Sequence, residues 1–112
     1  MNYIDFVAGD KEYKLRLNTR NTILLEKQLQ CHPVAIFGNG DSEVIPSVTT
    51  MVVILHCALQ QYHHGITLNN AYDIYDEWLA DGHASTDFLA IILDIYKASG
   101  IIPKDEEEAK NV

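Results

Sequence analysis

Tyr3-Ile4-Asp5-Phe6-Val7-Ala8-Gly9-Asp10-Lys11-Glu12-Tyr13-Lys14-Leu15-Arg16-Leu17 is the stretch that separates a mixed fold from an all-helical one. Ile4, Phe6 and Ala8 alternate with Tyr3, Asp5 and Val7, and Tyr13, Leu15 and Leu17 alternate with Glu12, Lys14 and Arg16. A period of two puts one set inward and the other toward water, the pattern of a half-buried strand. Gly9-Asp10 between the runs suits a type II′ turn, whose twist matches the flanking strands. A β-hairpin is therefore expected over residues 3–17. Alone it is marginal, so it must lie on helices or pair through an edge with another chain.

The remaining periodicity is helical. Asn18 or Thr19 caps a helix to about Gln30, with Ile23, Leu24, Leu25 and Leu29 apolar, and His32-Pro33 ends it. Residues 33–46 form a turn-rich loop in which Val34–Phe37 make one helical turn tucked on the core. Ser47 opens a helix to about His63 that is apolar nearly all round: Val48, Met51, Val52, Leu55, Leu59 and Tyr62 on one stripe, Val53, Ile54, Cys57 and Ala58 on the other side. Such a helix is central. Gly65 stops it. Thr67 or Asn69 starts a third, with Ala71, Ile74, Tyr75, Trp78 and Leu79 recurring at helical spacing. Ser85 starts a fourth, through Phe88, Leu89, Ile91, Ile92, Leu93, Ile95 and Tyr96 to a Gly100 cap and Pro103. Strands followed by helices give an α+β fold, mostly helical, with an N-terminal hairpin packed on a bundle of about four helices. Residues 1–103 form a single domain, and residues 104–112 an acidic, disordered tail.

Length and charge narrow the function. The chain has 112 residues, one domain's worth, and 47% are apolar, which supplies a core. The net charge of −8 is unevenly spread. Residues 28–96 carry no Lys or Arg but eight acids: Asp41, Glu43, Asp73, Asp76, Glu77, Asp81, Asp87 and Asp94. Nucleic-acid affinity comes mainly from Lys and Arg, so such a body repels phosphate and no nucleic-acid partner is expected. Asn69–Tyr96 could pass for a helix-turn-helix, but its second helix offers Asp87 where bases are needed. The apolar run Met51–Leu55 stops at His56, too short to cross a membrane. Met1–Asp5 has neither a basic head nor an apolar signal core, and two cysteines fit reduced thiols, so the cytoplasm is the expected compartment.

The chemistry-bearing residues form no catalytic set. Cys31-His32, His56-Cys57 and His63-His64 are adjacent pairs, and neighbours on a helix point about 100° apart, so they grip one ion poorly. No metal and no cofactor is expected. Gly38-Asn39-Gly40-Asp41 lacks the strand and the third glycine of a dinucleotide fingerprint. Asp73, Asp76, Glu77 and Asp81 share a helix face, but no base and no evident apolar pocket accompanies them, so they read as a solvated face. No enzyme is expected. What remains is surface. Tyr72, Tyr75 and Trp78 stand at i, i+3 and i+6 on the acidic helix, and the fourth helix carries more apolar residues than one buried face needs. Core packing accounts for Tyr75 and Trp78. The alternative is an aromatic groove rimmed by acids that holds a basic amphipathic helix, with Tyr72, Tyr75, Asp76, Glu77, Trp78, Phe88 and Ile92 as partner-binding candidates.

The hairpin Tyr3-Ile4-Asp5-Phe6 with Lys14-Leu15-Arg16-Leu17, the helix Thr22-Ile23-Leu24-Leu25-Glu26-Lys27-Gln28-Leu29, Pro46-Ser47 before the central helix, Tyr72-Asp73-Ile74-Tyr75-Asp76-Glu77-Trp78-Leu79 followed by Gly82, and Ala98-Ser99-Gly100 at the close are arranged in a familiar order. Over residues 3–103 the chain resembles the tail assembly chaperones of long-tailed, siphovirus-type bacteriophages and prophages. The resemblance implies a protein that binds the tape measure protein, keeps it soluble and recruits tail tube subunits in a bacterial host cell. It implies tape measure and tail tube proteins as partners and transfers no catalytic residue. It also implies a longer frameshifted product, for which codons of Ala109-Lys110-Asn111 reading GCA-AAA-AAC would supply a slippery heptamer. A small acidic adaptor or inhibitor that blocks a basic site on a host protein is the alternative. Such a mimic loses affinity steeply with salt, whereas a chaperone gripping through Tyr75, Trp78 and the fourth helix does not. Self-association is expected, if at all, through the hairpin edge.

Overall fold

The computed structural model describes residues 2–38 and 45–104. Strands β1 (Ile4–Ala8) and β2 (Lys11–Leu15) pair antiparallel, Ile4 opposite Leu15 and Ala8 opposite Lys11. Gly9 has φ 64° while Asp10 does not take a positive φ, the pattern of a type II′ turn. Four α-helices follow: α1 (Thr19–Leu29), α2 (Val48–Leu59), α3 (Leu68–Ala80) and α4 (Phe88–Ser99). The fold is α+β and mostly helical, with the hairpin at the N-terminal end. Phe6, Ala8, Leu15 and Leu17 turn inward, as their alternation requires.

Side chains set the helix ends. The Asn21 N–H donates to Asn18 Oδ1 at 2.9 Å and the Thr50 N–H to Ser47 Oγ at 3.1 Å, satisfying amides that have no partner inside the helix. Gly100 is left-handed at φ 79°, with Gly100 N–H bonded to Lys97 O and Ile101 N–H to Tyr96 O, a Schellman ending. The turn at Val34–Phe37 is a 3₁₀ helix over Pro33–Phe37. Ile36 and Phe37 pack on the core, and the Tyr96 hydroxyl donates to Pro33 O at 3.0 Å. Burial pushes that hydroxyl up, with a further push from Cys31. The rest of the expected loop, residues 39–44, and the tail, residues 105–112, lie outside the described residues.

Three expectations need correction. α2 ends at Leu59 and not near His63. The Gln60 side-chain amide donates to His56 O at 3.0 Å and to Ile66 O at 2.7 Å, which folds residues 60–66 into a turn. Val48 and Tyr62, placed on the buried stripe of α2, are 49% and 41% exposed. Val48 is the first helical residue, and Tyr62 lies past the helix, its ring centroid 5.5 Å from that of Tyr3 in an edge-on arrangement. The fourth helix opens with a 3₁₀ turn over Ser85–Asp87 before α4 begins at Phe88.

α2 is the central element. Met51, Val52, Ile54, Leu55, Cys57, Ala58 and Leu59 are all buried, covered by α1, α3, α4 and β2. Each such Leu or Ile contributes about 1.5–3 kcal/mol through burial. The end of α2 also closes one side of the hairpin. Lys14 N–H donates to His63 Nε2 at 2.8 Å and Arg16 N–H to Ala58 O at 3.0 Å. The outward amides of Lys14 and Arg16 on β2 are thus taken by the end of α2 and the turn that follows it. Among the described residues no helix is long and apolar enough to cross a membrane.

Candidate partner-binding surface

α3 carries most of the candidates, and its opening is firmly fixed. Asn70 N–H donates to Thr67 Oγ1 and Thr67 N–H to Asn70 Oδ1, both at 3.1 Å, a reciprocal capping box. From that start Ala71, Ile74, Tyr75 and Trp78 fall at i, i+3, i+4 and i+7 and are buried. They meet Phe6 from β1 and Phe88 from α4. Ring centroids lie 5.4 Å apart for Trp78–Phe88, 5.5 Å for Tyr75–Phe88 and 6.0 Å for Phe6–Trp78. The Tyr75 hydroxyl donates to Met51 Sδ at 3.5 Å, and His83 stacks on Trp78 at 4.6 Å. Tyr75 and Trp78 are each 3% exposed, and Phe88 and Ile92 are fully buried. The aromatic groove expected from these four residues is therefore not on the surface; they are the core that joins hairpin, α3 and α4.

Tyr72, Asp76 and Glu77 remain outside. Tyr72 is 47% exposed and sits beside Asp73 and Asp76 on the turn that faces away from the core. Glu77 and Asp81 have a different task. Asp81 Oδ2 accepts the Gly9 N–H at 2.8 Å, and Glu77 Oε2 lies so close to Gly9 that an added Cβ would sit 2.8 Å from it. The last turn of α3 thus holds the hairpin turn through a carboxylate, and glycine suits position 9 for its positive φ, while a side chain there would push aside the flexible end of Glu77. Nothing local in the sequence announces a bond between positions 9 and 81. Glu77 also borders a cleft of about 340 Å³ with Lys11, Tyr13, Asn70 and Asp73. Burial first, then the Glu77 charge, raises the Tyr13 hydroxyl.

The basic groups gather elsewhere. Arg20, His56 and His64 line a concavity of about 350 Å³ between the start of α1 and the end of α2, with Asn18, Leu24 and Gln61. Arg16 reaches Gln61 Oε1 at 3.2 Å. The outer face of α1 exposes Arg20, Ile23, Leu24 and Lys27.

Most histidines and cysteines have structural tasks. His32 Nδ1 accepts the Val34 N–H at 3.1 Å and starts the 3₁₀ turn. His63 ties β2 to the α2–α3 turn, and burial, then Lys14, lowers its proton affinity. Cys57 is buried and its thiol is pushed up to about 12 by desolvation, whereas Cys31 is exposed. Among the described residues no three His, Cys, Asp or Glu side chains are grouped to hold a metal ion.

Residues 4–112 match a family described as a family of unknown function, DUF6096. The chain belongs to this family. No curated protein and no solved structure matches it. In this DUF6096 member the candidates thus divide in three, with Glu77 set against the hairpin turn at Gly9. Tyr75, Trp78, Phe88 and Ile92 hold the fold together, and Tyr72 and Asp76, with Asp73, form an outward stripe on a capped helix.

Proposed function

We propose that this chain is a non-catalytic tail assembly chaperone of the bacterial cytoplasm. It binds exposed helical segments of a tape measure protein, keeps that protein soluble and helps recruit tail tube subunits. The observation that carries the reading is the outer stripe of α3: a half-exposed aromatic ring, Tyr72, flanked by Asp73 and Asp76 on a capped helix whose other side is locked in the core. A partner helix that presents an apolar residue between Lys or Arg side chains fits that stripe by contact and by charge. The order of hairpin and helices on which the tail-chaperone resemblance rests supports the same reading. With the larger aromatics buried, the contact is small and polar-rimmed, so it is weak enough to release cargo and loosens as salt rises.

The test is purification of an N-terminally tagged chain from cells that express its native gene neighbourhood, followed by mass spectrometry. Recovery of a very long helical protein, with or without a C-terminally extended form of this chain, is the expected result. Recovery of the chain alone, or with a basic host enzyme, would contradict the proposal and favour an acidic inhibitor.

A further inference from the structure

α1 and α3 both pack on α2, and each turns a stripe away from it. On α1, Asn21 and Leu25 face the core, which leaves Arg20, Ile23, Leu24 and Lys27 outside at i, i+3, i+4 and i+7. Ile23 is 46% and Leu24 36% exposed. On α3 the outward stripe holds Tyr72, Asp73 and Asp76. One stripe is two bases around two apolar residues, and the other is two acids beside an aromatic ring. None of these four charged side chains has a partner among the described residues. Both helices contact α2, and no hydrogen bond or ion pair among the described residues joins one stripe to the other.

We infer that the α1 stripe of one copy docks on the α3 stripe of a second copy. Ile23 and Leu24 then cover Tyr72, and Arg20 and Lys27 reach Asp73 and Asp76. Arg20 and Lys27 lie about 10.5 Å apart along the axis and the two aspartates about 4.5 Å, a difference that the long basic side chains span. The contact joins two different faces, so it is heterologous: in a pair, one copy keeps a free acidic face and the other a free basic face, and further copies add there, as an open row or as a ring where the rotation closes. Two single-helix faces form a small interface, so association is weak, concentration-dependent and sensitive to salt. It does not use the strand edge. It also does not need the chaperone reading, although cargo and a second copy would compete for α3.

Sedimentation of the whole chain over a wide concentration range at low salt tests this. The wild-type average mass is expected to climb past the dimer and to fall back when salt is added. R20E/K27E and D73K/D76K should each stay monomeric, a loss of roughly tenfold or more in association. An equimolar mixture of the two should associate again, because the unaltered basic α1 of D73K/D76K meets the unaltered acidic α3 of R20E/K27E, and the two reversed faces also match each other. Both variants remain net acidic, so attraction between opposite net charges does not explain such rescue. All four positions are exposed, and circular dichroism checks the fold; R20Q/K27Q and D73N/D76N replace any reversal that fails to fold. A wild-type chain that is monomeric throughout, a closed dimer indifferent to R20E/K27E, or a mixture that stays monomeric would overturn the inference. R20E/K27E leaves the α3 face intact, so capture of a tape measure protein by that variant fails or succeeds independently of self-association.

Discussion

The two sides of α3 carry the same residue type to opposite ends. Tyr75 on the inner side is 3% exposed and hands its hydroxyl to a methionine sulfur, while Tyr72 on the outer side is 47% exposed between acids. The inner stripe binds the fold, and its aromatics are consumed by contacts with Phe6 and Phe88. The outer stripe contributes almost nothing to the fold and is free to act on something else. An aromatic residue on an acidic helix thus says little about partners until its side of the helix is known.

The comparison breaks most visibly from the inside. Trp78→Ala removes the ring that touches Phe6, Tyr75, Phe88 and His83, and should cost about 3–5 kcal/mol, a large part of a small domain's stability. Urea unfolding checks this, with a lowered midpoint or a chain already unfolded in buffer. Next in size is Thr67→Ala, which opens the capping box at the start of α3 and should cost about 1 kcal/mol by the same assay.

A smaller effect follows from His63, which positions the turn leading into α3. Its Nε2 accepts the Lys14 N–H, so protonation destroys the acceptor, and burial already holds its pKa below the ordinary value of 6.5. The unfolded chain therefore takes up this proton more readily than the folded one. The contribution is fully present above about 6.5 and is lost as pH falls through the lowered folded value. His63→Gln should flatten that part of the profile of unfolding midpoint against pH. The smallest change is Asp76→Asn, which should leave the midpoint within about 0.5 kcal/mol of wild type while weakening capture of a basic helix.

Much of this was legible in the residues. Alternation from Ile4 to Leu17 defined the hairpin and its buried face, and Ser47 and Gly100 marked helix ends where they occur. The i, i+3, i+4, i+7 set Ala71, Ile74, Tyr75 and Trp78 already signals a core stripe, and Tyr72 falls outside it; the i, i+3, i+6 reading of the aromatics blurred that distinction. The end of α2 was not legible, because the Gln60 amide takes carbonyls at positions 56 and 66 by a route that no propensity encodes. The bond from Gly9 to Asp81 was equally hidden, since only the packed fold brings the hairpin turn to the end of α3.

The central claim is that partner contact belongs to the outer stripe of α3 and not to its aromatic core. Co-expression of the tagged chain with its neighbouring genes, using wild type, R20E/K27E and D73K/D76K side by side, tests this most directly. The account predicts that wild type and R20E/K27E recover a long helical protein and that D73K/D76K, folded by circular dichroism, loses it. Undiminished recovery by D73K/D76K would place the contact elsewhere on the molecule and contradict the account.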